Sequence, residues 1–171
     1  CEKIIMTAPD RQNLLGHAVS HEEAVSYFSE PSKTTLPCMT WEVTLRARTI
    51  NRTLTAGLDV IRQNPDIQFI WQTGKIYIDQ VRDAITAATG EAVHHPHINA
   101  IPNLYVTDFI KDMAKAYAAA DLVISRAGAG SISEFCLLHK PVILVPSPNV
   151  AEDHTTKNAL ALVDKDAAIY V

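Results

Sequence analysis

The chain has 171 residues, 47% of them hydrophobic and 20% charged, with a formal net charge of −4 at pH 7. A domain of this length can bury a sizeable core, and the absence of a basic cluster argues against a nucleic-acid partner. The longest apolar run, near Val142–Val145, is far too short to cross a bilayer.

The three cysteines, at positions 1, 38 and 136, are odd in number and widely spaced, which indicates neither a disulfide framework nor a zinc site. We predict that Cys136 is a small core residue on the buried side of its helix. The chain starts at Cys1 without an initiator methionine or a signal peptide. We therefore expect a piece of a longer protein in a reduced, cytoplasmic setting.

Strands and helices alternate along the chain. Apolar residues at helical spacing, with capping signals such as Ser20-x-x-Glu23, predict helices over residues 18–28, 50–61, 81–90, 113–120, 131–139 and 152–162. Short apolar or β-prone runs predict strands over residues 36–44, 67–71, 104–106, 122–124, 142–145 and 168–171. This alternation predicts an α/β fold, a Rossmann-like parallel sheet with helices on both faces, in which strands 122–124 and 142–145 lie centrally.

The most informative stretch is residues 121–134, DLVISRAGAGSISE. A short apolar strand precedes Arg126, a glycine-containing turn and a helix predicted to begin at Ser131. The glycines let backbone N–H groups approach a ligand, and the positive end of the helix dipole favours an anion. Glu134 lies about where nucleotide-binding α/β folds keep a carboxylate for ribose hydroxyls. Because Ser131-x-x-Glu134 is also a capping box, which binds no ligand, both interpretations stay open.

Several segments of the chain resemble the MurG family of bacterial glycosyltransferases. They are ARTIN at 47–51, VTDFI at 106–110, the 121–134 stretch, KPVILVP at 140–146 and EDHTTKNA at 152–159. Members of this family transfer N-acetylglucosamine (GlcNAc) from UDP-GlcNAc to the undecaprenyl-linked muramoyl-pentapeptide precursor of the cell wall. The resemblance implies the C-terminal, donor-binding half of a two-domain, inverting GT-B enzyme. Residues 1–34 would be a hinge segment with a short helix, and residues 35–171 the UDP-sugar donor-binding domain, truncated at its C-terminus.

The resemblance also implies donor contacts for residues that match the family's motifs. Ile110 would contact the uracil, mainly through its backbone, although an apolar residue at a helix start explains it nearly as well. Gly128 would lie in the phosphate turn. Ser131 and Ile132 would present backbone N–H groups to the diphosphate, and Ser131 also its hydroxyl. Glu134 would accept hydrogen bonds from the ribose diol, because a carboxylate suits two neighbouring hydroxyl donors.

The family's motifs also match this chain at Arg126, at residues 154–155 and at Arg11. Arg126 would sit next to the phosphate turn, and a salt bridge within the domain explains it equally well. His154 and Thr155 occupy positions where related chains carry His-Gln for the sugar hydroxyls, so Thr155 is a departure. Arg11 matches a family arginine in the hinge segment that reaches the donor.

The largest departure lies at residues 41–47, WEVTLRA, where the family has a Gly-Gly-Ser-x-Gly-Ala turn near the donor phosphates. Thr44 is the substrate-binding candidate in this stretch. Arg46 cannot readily copy a glycine with positive φ, and Glu42 would repel a diphosphate. Either the chain has lost part of its donor site, or the sequence between about residues 29 and 46 is misread. The abrupt change between matching flanks favours the second explanation.

The sequence indicates no metal site, no cofactor and no catalytic residue within this chain. His94, His95 and His97 lie in a proline-containing loop without matching cysteine or carboxylate spacing. Two function classes stay open. One is the donor-binding domain of a GlcNAc transferase at the cytoplasmic face of the membrane, where the missing N-terminal domain would bind the lipid-linked acceptor. The other is a noncatalytic or degenerate α/β nucleotide-binding or interaction module.

Overall fold

A computed structural model describes residues 19–28, 38–42, 48–91, 100–145 and 153–171. The strands in these ranges are β1 Cys38–Glu42, β2 Gln68–Gln72, β3 Leu104–Thr107, β4 Leu122–Arg126, β5 Val142–Val145 and β6 Ile169–Tyr170. The helices are α1 His21–Phe28, α2 Arg48–Ala56, α3 Leu58–Gln63, α4 Ile78–Thr89, α5 Met113–Ala119, α6 Ala129–Leu138 and α7 Asp153–Val163. Within the same ranges, none of the helices is long and apolar enough to span a membrane.

The strands form one sheet in the order β3-β2-β1-β4-β5-β6, with every pairing parallel. The chain moves outward from β1 to β3, returns to place β4 beside β1, and moves outward again to β6. This order confirms the predicted Rossmann-like sheet. Strands β4 and β5 have neighbours on both sides, so their predicted central position is also confirmed.

Helices cover both faces of the sheet, as alternate residues of β2 show. Phe69 and Trp71 pack with buried residues of α2, α3 and α4, whereas Ile70 packs with buried residues of α1 and α5. Successive side chains of a strand point to opposite faces, so these two clusters lie on opposite sides of the sheet. A third cluster, which includes Tyr117 and Phe135, joins α5, α6 and α7 to β4 and β5.

The helix predicted over residues 50–61 is in fact two helices, α2 and α3, separated by Gly57. The Gly57 N–H donates to the carbonyl oxygens of Thr53 at 2.9 Å and Leu54 at 3.0 Å. A β-carbon at Gly57 would lie 3.2 Å from the Thr53 oxygen, which is a tight contact. Glycine costs a helix about 1 kcal/mol relative to alanine, so the break falls where continuing the helix is least favourable.

Two expectations about α6 are wrong. The helix begins at Ala129 with Gly128 as its N-cap, not at Ser131, and Gly128 makes no side-chain capping bond. Ser131 therefore lies inside the first turn, and Ser131-x-x-Glu134 is not a capping box. Cys136 is exposed, because the core-facing position of this helix is taken by Phe135, which is 2% exposed.

Helix α1 begins with the predicted capping bond, since the Ser20 hydroxyl oxygen accepts the Glu23 N–H at 3.2 Å. At its other end, Phe28 meets Tyr105 of β3 edge to face, with ring centroids 5.1 Å apart. Burial, with a smaller contribution from Tyr27, raises the pKa of Tyr105 to about 12. The Tyr105 phenol therefore stays neutral throughout the physiological pH range.

A buried polar pair links α2 to the end of β2. The Trp71 Nε1 donates to Asn51 Oδ1 at 3.0 Å, and Asn51 Nδ2 donates to the Thr73 carbonyl at 3.0 Å. Asn51 is 2% exposed, Trp71 1% and Thr73 0%. Asn51 thus satisfies two groups that water cannot reach.

We expect Asn51→Ala to lower the free energy of unfolding by about 1–3 kcal/mol, because it leaves the Trp71 N–H and the Thr73 carbonyl buried without these partners. Urea unfolding measures the loss. The control is Arg52→Ala, an exposed position on the same helix, which should change stability by less than about 0.5 kcal/mol. Equal losses in the two variants would show that the buried pair does not set the effect, since alanine is the best helix former and favours the helix in both.

Candidate functional site

The strand order reverses between β1 and β4, and doubly wound sheets bind nucleotides in the crevice at such a reversal. The residues that directly follow β1 lie outside the described ranges. After β4, which ends at Arg126, a two-residue connection of Ala127 and Gly128 leads into α6. The predicted strand–turn–helix is therefore at the crevice.

The N-terminal turn of α6 is the candidate anion-binding element. The N–H groups of a first turn have no acceptor within the helix and carry partial positive charge. The Ile132 N–H donates to the Gly128 carbonyl at 3.0 Å, so an anion would share it with that oxygen. Ser131 lies one residue closer to the helix start, half-buried.

Gly128 has φ −70° and ψ 140°, a conformation that any residue adopts. A β-carbon there would meet only the Ser131 hydroxyl, at 3.8 Å, which is an ordinary contact. The backbone therefore does not require glycine at this position, whereas the close approach of a ligand would.

Glu134 is half-buried on α6 and accepts a hydrogen bond at Oε2 from the Tyr117 hydroxyl, 3.0 Å away. Tyr117 belongs to α5 and is 1% exposed. Sequence reasoning missed Tyr117, because nothing in a sequence separation of 17 residues indicates that the two side chains meet. The only sequence signal was the presence of a hydroxyl-bearing side chain in an alanine-rich helix, where Lys115 is the other side chain with a strong hydrogen-bond donor.

Ile110 follows β3 and is buried, with 4% exposure. Its N–H donates to Oε1 of Gln72, the last residue of β2, at 2.7 Å. In this structure one of the backbone polar groups of Ile110, its N–H, is therefore held by a glutamine side chain. Sequence reasoning also missed Gln72, whose signal is a polar residue that ends a buried strand.

Helix α5 joins the two candidate regions. It begins three residues after Ile110, and it carries the Tyr117 that reaches Glu134. Arg126 lies on the same side, half-buried at the carboxyl end of β4. Ile110, Arg126 and Glu134 therefore lie on elements that meet at one edge of the sheet.

Several predicted site residues lie outside the described part of the chain. Arg11 and Thr44 fall in undescribed ranges, as do the three histidines at 94, 95 and 97. His154 and Thr155 lie in the first turn of α7, whose backbone is described but whose side chains at these positions are not. Because α7 follows β5, the neighbour of β4, this turn belongs to the same edge of the sheet.

Among the described residues, no group of three or more histidine, cysteine or acidic side chains is arranged to hold a metal ion. A surface cavity of about 320 Å³ lies between α2 and α4. None of the predicted donor-binding residues lines it, so it is not the predicted site.

Residues 44–171 match the family model described as "Glycosyltransferase family 28 C-terminal domain". Two similar curated relatives, from Bacteroides fragilis and Bacteroides thetaiotaomicron, are both named UDP-N-acetylglucosamine–N-acetylmuramyl-(pentapeptide) pyrophosphoryl-undecaprenol N-acetylglucosamine transferase. The first is 66% identical over 171 residues and the second 64% over 172. The alignments cover 99% of this chain but only 42% and 43% of the relatives, so the chain spans about two-fifths of their length.

A solved structure of Acinetobacter baumannii MurG has the same fold. It is 27% identical, the match covers 90% of this chain and 40% of that one, and the TM-score is 0.61. Together with the curated relatives, this match confirms the resemblance to the MurG family.

We expect Gln72→Leu to remove the acceptor of a buried N–H and to lower the free energy of unfolding by about 1–3 kcal/mol. Amide hydrogen exchange should become faster at Ile110 in particular, and urea unfolding gives the stability loss.

The matched control is Gln68→Leu at the other end of β2. Gln68 is 3% exposed, and its Oε1 has no hydrogen-bond partner among the described residues. Its replacement should leave exchange at Ile110 unchanged. If both variants accelerate that exchange equally, the Gln72–Ile110 bond is not what holds this part of the edge.

Proposed function

The chain belongs to the glycosyltransferase family 28 C-terminal domains, and from this membership we propose that it is the UDP-GlcNAc-binding half of an inverting GT-B glycosyltransferase. The proposed reaction adds GlcNAc to the lipid-linked muramoyl-pentapeptide in peptidoglycan synthesis. The names of the curated relatives, which match over 99% of this chain, support this assignment.

The observation that carries the proposal is the β4–α6 connection at the strand-order reversal. It puts the carboxyl end of β4, where Arg126 lies, and the N-terminal turn of α6 beside that reversal, and Glu134 lies further along the same helix. A UDP-sugar offers the matching groups, an anionic diphosphate and a ribose diol. The diphosphate would lie at the first turn of α6, near Ser131 and Ile132, and the diol would donate to Glu134.

The same arrangement suggests how the chain assists departure of UDP. Negative charge grows on the diphosphate as the bond to the sugar breaks. The N-terminus of α6 stabilises such charge by about 0.3–1 kcal/mol when exposed and by up to about 2 kcal/mol when partly buried. A positive Arg126 near the turn adds to this effect, and its stabilisation increases as the site closes and water leaves.

The remaining donor contacts are also proposals, and except for Ile110 they fall on residues whose side chains the structure does not describe. Ile110 would bind the uracil, and His154 and Thr155 would hold the sugar hydroxyls. Arg11 and Thr44 would complete the site from the hinge and from the connection after β1. The acceptor and the membrane would be bound by a further domain, at the cytoplasmic face.

A second candidate function is a noncatalytic nucleotide-binding or interaction module. The observation that favours it is the stretch WEVTLRA at 41–47, which lacks the glycines of the family's phosphate turn. An interaction module without that turn would bind UDP weakly or not at all, so the binding experiment below separates it from a donor-binding half. A noncatalytic module that still binds UDP is separated by the absence of sugar transfer in the full-length protein.

We expect Glu134→Ala to weaken UDP binding by about 1.5–3 kcal/mol, the contribution of hydrogen bonds to a charged group. Titration calorimetry with UDP measures the change. Glu91→Ala, which removes an exposed carboxylate just after α4, is the control and should leave the affinity unchanged. Equal UDP affinity for the chain and its Glu134→Ala variant would show that the carboxylate does not bind the ribose.

We also expect the 171-residue chain by itself not to transfer sugar. A general base must come within about 3 Å of the acceptor hydroxyl, and the acceptor would be held by the part of the relatives that this chain does not span. The test incubates the chain with UDP-GlcNAc and a lipid-linked acceptor analogue, with a full-length relative as the positive control. Turnover comparable to that relative would show that the acceptor site lies within residues 1–171.

A further inference from the structure

We propose that Tyr117 is a positioning residue for nucleotide binding, which fixes the Glu134 carboxylate in the orientation that accepts the ribose hydroxyls. This inference rests on the proposed function, because it assumes that Glu134 meets the ribose. It assigns to α5 a part in the donor site, although none of the sequence motifs above includes Tyr117.

The Tyr117 ring is held by packing in the buried core. The side chain is 1% exposed and belongs to the buried cluster with Val123, Ala127 and Phe135. Its ring meets the Phe135 ring edge to face, with centroids 6.0 Å apart and an interplanar angle of 85°. A phenol held in this way has little freedom to follow a moving partner.

Glu134 is in the opposite situation. Its side chain is only half-buried, and a glutamate loses considerable rotamer freedom when it is ordered. The bond of 3.0 Å from the Tyr117 hydroxyl to Oε2 therefore orders the carboxylate before a ligand arrives. Ordering a binding group in advance reduces the entropy that is lost when the ligand binds.

The chemistry of a carboxylate allows both interactions at once. Two oxygens carry about four acceptor positions, enough for one phenol and two ribose hydroxyls. The Tyr117 hydroxyl donates its hydrogen bond to Glu134, and this bond favours one orientation of the carboxylate over others. Tyr117 acts on the ligand only through Glu134 and is not itself a catalytic residue.

A merely structural role for the hydroxyl predicts something different. If its loss only loosened the α5–α6 packing, binding of every ligand at this crevice would weaken alike. If the hydroxyl instead positions Glu134, its loss weakens the binding only of ligands that carry the ribose hydroxyls. UDP and 2′,3′-dideoxy-UDP, which lacks the diol, therefore distinguish the two roles.

The experiment measures the Kd of both nucleotides by titration calorimetry for the 171-residue chain and for Tyr117→Phe, which keeps the ring and its packing against Phe135. We expect Tyr117→Phe to raise the Kd for UDP by about 3- to 10-fold, the equivalent of one hydrogen bond's net contribution. The Kd for 2′,3′-dideoxy-UDP should change by less than about 2-fold. In a Glu134→Ala background, Tyr117→Phe should have no further effect on UDP binding.

The matched control is Tyr105→Phe, which removes the hydroxyl of a partly buried tyrosine on β3. It should change neither Kd. Thermal unfolding of each variant confirms that it is folded at the temperature of the titration.

The outcomes separate this inference from the proposed function. If Glu134→Ala weakens UDP binding and Tyr117→Phe does not, the positioning role is wrong and the proposed function stands. Equal weakening of both nucleotides by Tyr117→Phe also overturns the positioning role. If the unaltered chain binds no UDP, or Glu134→Ala has no effect, the assignment of Glu134 to the ribose fails first.

Discussion

The parallel pairing of all six strands is the constraint on which the rest of this structure depends. Parallel neighbours cannot be joined by a tight turn, so each connection must cross a face of the sheet, usually as a helix. The carboxyl ends of the strands then collect along one edge, and the order β3-β2-β1-β4-β5-β6 places its reversal next to β4. For this reason the same edge carries Gln72, Ile110 and Arg126, which are far apart in the chain.

Hydrogen bonds tie together the connections at the carboxyl edge of the sheet. The Thr73 N–H donates to the Thr107 carbonyl at 2.9 Å, and the Gly74 N–H donates to the Asp108 carbonyl at 3.0 Å, which ties the connections after β2 and β3 together. Asn51 links the same region to α2. Gly74 has φ +79°, a conformation that a side chain would strain. This edge of the sheet is therefore held together by the protein's own hydrogen bonds.

Local geometry, not net charge, decides whether this edge can hold an anion. The formal charge of the chain is −4, which by itself disfavours a diphosphate. Charges on an exposed surface are screened beyond about 8–10 Å at physiological salt, whereas the first turn of α6 and Arg126 lie beside the strand-order reversal, where the diphosphate is proposed to bind. The N–H groups and the guanidinium would therefore act on an anion at short range, and distant carboxylates would contribute little to the potential there.

Some of this protein follows from the sequence alone. The alternation of apolar runs with helical patterns predicts the α/β class and the central place of β4 and β5, because only strands buried on both faces are apolar in this way. The glycine turn after residues 122–124 lies beside the reversal of the strand order, and its binding of a donor stays a prediction. The sequence does not locate the break at Gly57 or the start of α6 at Ala129. Helices that begin or end one or two residues apart form nearly the same local hydrogen bonds, so the sequence pattern does not distinguish them.

Tertiary structure decides which side chains meet. The bonds of Gln72 to Ile110 and of Tyr117 to Glu134 join residues that are 38 and 17 positions apart. Each forms only after the sheet order brings its two elements together, and no periodicity in the chain indicates it. Burial explains why these bonds form, since a polar group that loses contact with water needs a hydrogen-bond partner in the protein. The fold, not the sequence pattern, determines which partner is within reach.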